Sequence, residues 1–334
     1  MKKGKTGDIL KFCIFFGIGI FFIYWFLLKL DSEQKTAIWQ AFVHARYGWV
    51  AAIMATIMLS HWVRALRWRL LYRSMHYEPR IGNTFGSVVI AYMANLAFPR
   101  LGEVARCATM RTSEQIPLDK SLGTVLTERV VDILAFFVIV LIGLVFLYGQ
   151  ARQWIQDTLA QRVETMPAPW LLAVALVGAI AVAVVGYRLC RRWMGHRAAF
   201  QRIDHFVTGC ADGLRSIFHM GRRDTLLFLL YSGVIYLLYI LAGLFIFQAF
   251  DATAGLGFGA AFVIYLFGSL GMTFSQGGIG LYPVLIQSAL SLYGVDPQTG
   301  TAAGWLLWGA QQAIVIVVGL GWLVYFSKTK KKSR

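Results

Sequence analysis

The chain has 334 residues, 58% of them hydrophobic and only 14% charged, with a formal net charge of +16. With a mean hydropathy of +0.61, this is the composition of an integral membrane protein. The basic residues are scattered over several short segments, which argues against a nucleic-acid partner and for attraction to anionic lipid.

Several apolar stretches reach the roughly 20 residues a helix needs to cross hydrocarbon. Leu10–Leu28 follows a basic start, and Leu30-Asp31-Ser32-Glu33 offers no small-x-small cleavage site. It is expected to be a retained anchor, with an external loop through Arg46. Tyr47–Leu66 is the next span. Ile81–Phe98 is apolar but ends in Pro99-Arg100, and an X-Pro step disfavours helix at Phe98. Further spans are Leu122–Tyr148, Trp170–Leu189, Thr225–Phe250 and Ala302–Phe326. Phe200, Ile203, Phe206, Val207, Cys210, Leu214, Ile217 and Phe218 recur at helical spacing, predicting a cytoplasmic amphipathic helix on the membrane. Ala252–Tyr293 is long, glycine-rich and interrupted by Ser275-Gln276-Gly277-Gly278. Residues 327–334 form a basic tail.

All but five of the 32 Lys and Arg residues fall on one side if the N-terminus is cytoplasmic. The exceptions are Lys29, Lys35, Arg46, Arg152 and Arg162. The positive-inside rule therefore predicts cytoplasmic N- and C-termini in a bacterial inner membrane. Arg64–Arg80 and Arg100–Lys120 both belong on the cytoplasmic side, so residues 81–111 must enter and return on that face, turning near Phe98-Pro99. Asp251 and Asp296 both read as external, which makes residues 252–293 a hairpin opening outward, turning at Ser275–Gly280. The expected fold is all-α and polytopic, with about six full transmembrane helices, two re-entrant helical hairpins and the amphipathic helix. Residues 47–148 and 225–326 become two halves of opposite orientation, joined through 149–224, in the manner of inverted-repeat transporters. The alternative is a pair of ordinary short helices in each broken region.

Chemistry concentrates in two strings, FPRLGEVAR at Phe98–Arg106 and ERVVD at Glu128–Asp132. Charge at a membrane edge has to be paired, hydrated or functional. Glu103 and Arg106 stand one helical turn apart, as do Glu128 and Asp132. Two readings stand. Arg100 and Arg106 offer forked donors matched to phosphate oxygens, with Gln276, Gly277, Gly278 and Gly280 letting a headgroup approach the second turn. Alternatively, the arginines pair with Glu103, Glu128 and Asp132 to lock the fold, and Arg129 joins that network. Proton coupling through the carboxylates is a further option.

The six histidines are isolated and read as interfacial. The four cysteines have no metal-like spacing, so neither metal nor disulfide is expected. No nucleotide or other cofactor motif is present. Gly255-x-Gly257-x-Gly259 lies in an apolar run and reads as close helix packing.

The pattern N-L-x-F-P-R-L-G-E-x-x-R from Asn95 to Arg106, followed by E-R-x-x-D, resembles the lysylphosphatidylglycerol synthase transmembrane-domain family, the flippase-like membrane proteins. GGIGLYP at Gly277–Pro283 resembles that family's second glycine-rich segment. Many members carry Pro-Gly-Gly and a glutamate shortly after the last glycine; here Gln276 precedes Gly277, and Tyr282-Pro283 follow Gly280. The resemblance spans about Trp49–Tyr325. The synthases also carry a soluble aminoacyl-transferase domain, for which this length leaves no room. The resemblance implies movement or binding of a phosphate-bearing lipid: a phospholipid, an aminoacylated phospholipid or a polyprenyl phosphate. Lipid-modifying enzymes are possible partners. The rival is an enzyme, enzyme subunit or scaffold of lipid-linked glycan or phospholipid synthesis.

Overall fold

The computed structural model describes residues 32–97, 101–158, 178 and 220–332. The expected anchor at Leu10–Leu28, the span at Trp170–Leu189, the amphipathic helix at 200–218 and the Phe98-Pro99-Arg100 turn lie outside the described residues. Everything regular that is described is helical. Contacts divide the chain into two units, Met1–Leu122 with Leu226–Arg334, and Gly123–Thr225.

The elements in order are α1 (Ser32–His44), α2 (Tyr47–Arg73), α3 (Ile81–Ala97), α4 (Leu101–Glu114), α5 (Leu118–Thr158), α6 (Arg222–Gln248), α7 (Phe258–Phe274), α8 (Leu281–Ser291) and α9 (Pro297–Lys332). Short 3-10 turns stand at Asp251–Thr253 and Gln276–Gly278. Among the described residues, α2, α6 and Pro297–Lys328 of α9 are long and apolar enough to cross a membrane. The protein is a multi-pass helical membrane protein.

Three expectations change. The stretch read as an external loop before Arg46 contains α1. The span expected over Leu122–Tyr148 is part of the 41-residue α5, because no proline interrupts the chain between Pro117 and Pro167. Gly255 and Gly257 do not pack helices. They stand in the turn before α7, Gly257 being its N-cap, with open space where a Cβ would point. Close packing falls to Gly268 and Gly271 of α7, where a Cβ would crowd Tyr282.

In the first unit, α2 and α6 run antiparallel along nearly their whole length. The Arg46 N–H donates to the Ala249 carbonyl at 3.0 Å. Trp49 meets Phe245 at 5.5 Å between ring centroids, and Val63 packs with Ile235 and Leu238. At the Arg46 end, that guanidinium also pairs with Asp251. The first broken region folds as an antiparallel pair. Asn83 at the start of α3 donates to Glu114 at the end of α4, Ser87 reaches Met110, and the Gly102 N–H donates to Asn95 Oδ1 at 2.8 Å. Gly102 has to be glycine, because a Cβ there would run into the Ala91 carbonyl. The second region, α7 and α8, packs through Gly268, Gly271 and Tyr282, and α9 closes on α8 where Gly304 meets the Pro283 backbone. Asp296 starts α9: its carboxylate accepts the Thr299 N–H at 2.8 Å, and Pro297 fills the first helical position.

In the second unit, residues 123–158 continue α5. Ile133, Leu134, Phe137, Val138 and Ile142 leave an apolar side of it exposed, as expected of a surface facing lipid.

Candidate functional site

The apolar run expected to stop at Leu66 continues as helix to Arg73. Leu70, Leu71 and Tyr72 maintain burial beyond the arginines, being 3%, 3% and 0% exposed. This corrects the sequence reading of Arg64 and Arg67 as loop cations: they are 8% and 0% exposed. It also corrects His61, read as interfacial and here fully buried.

The buried arginines sit among aromatic rings. Arg64 lies over Tyr92 of α3, 5.7 Å from the ring centroid. Arg67 lies over Phe228 of α6 at 5.3 Å and donates from Nη1 to Ser232 Oγ at 3.0 Å. Arg106 of α4, itself 5% exposed, lies over Trp68 of α2 at 4.6 Å. A guanidinium is weakly hydrated and stacks on aromatic faces, and each of the three lies on a different ring. On the same helix Tyr72 donates to Ser121 Oγ at 2.9 Å.

The end of α3 meets the turn of the second broken region in the same unit. A Cβ built on Gly277 would lie 3.0 Å from a Leu96 methyl and 3.7 Å from its Cα. The end of α3 therefore lies against the 3-10 turn between α7 and α8. Gly277, Gly278 and Gly280 all adopt positive φ, at 60°, 79° and 76°, where L side chains are strained. The second turn is held by α9. Trp308 Nε1 donates to the Gly277 carbonyl at 2.7 Å, and Gln312 Nε2 donates to the same oxygen at 3.4 Å. Gly278 is buried, and a Cβ there would crowd Met272, Tyr282 and Trp308. Only the backbone of Gln276 is described.

The remaining sequence candidates lie on α4 and α5. Glu103 is half-buried on α4, one turn from Arg106. On α5, in the second unit, Glu128 is 1% exposed, Asp132 half-buried and Arg129 exposed. Arg100 is outside the described residues. Among the described residues, no group of three or more His, Cys, Asp or Glu could hold a metal ion. The signal for Arg64 and Arg67 was present in RALRWRLL, where apolar residues continue at helical spacing on both sides of the cations.

Comparison with known proteins follows the same outline. Residues 9–319 match the family described as the lysylphosphatidylglycerol synthase TM region. A segment of 86 residues is 30% identical to a Haloferax volcanii protein named glycosyltransferase AglD, covering 25% of this chain and 14% of that protein's length. No solved structure matches. The chain belongs to the lysylphosphatidylglycerol synthase transmembrane family.

Proposed function

We propose that this family member binds a phosphate-bearing lipid headgroup and moves it across the bacterial cytoplasmic membrane, with no ATPase of its own. The observation that carries the reading is the buried trio Arg64, Arg67 and Arg106. Charged side chains inside the helices of a membrane protein mark candidate substrate or ion paths, and guanidinium forks match phosphate.

On this reading α3–α4 and α7–α8 are re-entrant pairs whose turns meet inside the bilayer. Their short helices and the proximity of Leu96 to Gly277 support that arrangement. The antiparallel course of α2 and α6, the leading helices of the two halves, supports an inverted repeat. Arg100 and Arg106, with the backbone around Gly277 and Gly280, would contact the headgroup. Glu103, Glu128, Arg129 and Asp132 would lock the fold or couple protons. Both termini would be cytoplasmic. A second reading, an enzyme or subunit of lipid-linked glycan synthesis, draws on the partial likeness to the protein named a glycosyltransferase.

A headgroup-accessibility assay in proteoliposomes separates the two. The protein alone should expose a labelled phospholipid from the inner leaflet. Arg100→Ala and Arg106→Ala, folded, should lose most of that activity, and Arg100→Lys only part of it. Transport unchanged in all three variants would overturn the phosphate site, and activity appearing only with an added glycosyl donor would establish the enzyme. In the same vesicles, cysteines at Arg80 and Glu114 should label from the cytoplasmic face only. Labelling from opposite faces would make α3–α4 a true crossing and end the re-entrant scheme.

A further inference from the structure

α9 is longer than a bilayer requires. Its 36 residues at about 1.5 Å each reach on the order of 54 Å, beyond the roughly 40–45 Å of hydrocarbon and headgroups together. The basic residues after Ser327 continue this helix through Lys332. One side of α9 faces protein: a Cβ on Gly319 would crowd Met93, and Trp322 fills the space beside Gly86 of α3. The opposite side is exposed. Val317, Leu320 and Val324 are 67%, 52% and 53% exposed and follow one another at helical spacing. The same register carries the stripe on to Lys328, which is exposed, and to the position of Lys331, while Lys330 holds a register position off the stripe. Where the apolar part gives way to the basic part, Trp322 meets Tyr325 at 5.1 Å and Phe326 at 5.6 Å between ring centroids. Such an aromatic group sits at headgroup level.

We infer that this side of α9 binds an anionic phospholipid of the leaflet at its C-terminal end, with acyl chains along Val317, Leu320 and Val324 and the headgroup phosphate held by Lys328 and Lys331. A lipid matches both parts of the stripe, acyl chain against branched apolar side chains and anion against ammonium groups, which bind phosphate as point charges. Lysine stems rest on apolar surface while their charges reach the headgroup layer. A water-soluble anion would use the lysines alone. The inference goes beyond the transport reading and does not depend on it.

The test titrates the full-length protein in neutral detergent micelles with dioctanoyl-phosphatidylglycerol, using dioctanoyl-phosphatidylcholine as the zwitterionic control. Wild type should prefer the anionic lipid. A basic residue at the headgroup layer is worth about fivefold in affinity. Lys328→Gln and Lys331→Gln should therefore each weaken phosphatidylglycerol binding by about that factor, and Lys328→Arg should retain it. Lys330→Gln removes the same charge from off the stripe and should change binding less than about twofold. Equal weakening by all three Gln variants would make the charge a diffuse property of the tail and overturn the site. Preference retained in a Lys328→Gln, Lys331→Gln double variant would place anionic recognition elsewhere in the protein and also overturn it, as would a wild type with no preference. Sodium phosphate should displace the lipid no better than sodium chloride of equal ionic strength. Stronger displacement by phosphate would assign the lysines to a free anion and end the lipid site.

Discussion

The two halves of the protein share a plan and differ in chemistry. Each runs long helix, two short helices, long helix. The lengths are 27, 17, 14 and 41 residues in the first half and 27, 17, 11 and 36 in the second. In each, the leading helix meets the first short helix through aromatic side chains: Trp62 on Phe85 at 5.2 Å in one, Tyr239 stacked on Tyr265 at 6.0 Å in the other. The first half adds His61 and Arg64 to that surface, against Tyr92, and places Arg67 against α6. The second half has no charged residue between Thr225 and Ser327 except Asp251 and Asp296. The packing solution is thus used twice and the ionic equipment once.

The comparison breaks most visibly at the helix contacts. Gly102→Val and Gly271→Val should each cost about 3 kcal/mol or more, since overpacking against backbone cannot be relieved by rotating a side chain. Loss of monodisperse, detergent-extracted protein in both variants would place equal structural weight on the two helix pairs. A folded Gly271→Val protein would make the second pair the looser one. A middle-sized effect concerns how each turn is fastened. Asn95→Ala removes the acceptor for the Gly102 N–H, and Trp308→Phe removes the donor to Gly277. Each should cost about 1 kcal/mol, read as a lower thermal midpoint. A markedly larger loss for Trp308→Phe would identify α9 as the clamp that sets the second turn. The smallest effect belongs to the Arg46–Asp251 pair, whose side chains are 55% and 85% exposed. Asp251→Asn should change stability by at most about 0.5 kcal/mol. A larger shift would mean that this end of α2 and α6 is not water-facing.

Much of this organisation was legible before the fold. Proline and glycine punctuation at Pro99 and Gly277–Gly280 marked both broken regions, while the asymmetry of Lys and Arg predicted which side each connection faces. The same asymmetry concealed Arg64 and Arg67. Counting basic residues treats each as a loop marker, whereas stacking on Tyr92 and Phe228 lets an arginine remain inside a helical bundle. Those rings lie far away along the chain, so local spacing could not announce them. The helix at Ser32–His44 was missed for a related reason: its polar first turn resembles a loop, and it gains its place by packing on α9. Glycine was misread in the other direction. Gly255 and Gly257 looked like helix-contact residues in composition, yet a contact needs a neighbour as well as a small side chain.

The hydrogen bond from Arg67 to Ser232 joins residues 165 positions apart. At roughly 5–20 residues per second of synthesis, Arg67 leaves the ribosome on the order of 10–30 s before Ser232 and Phe228 exist. The contact that fastens Arg67 to α6 is therefore made late in synthesis, after the whole segment between the two helices has been produced.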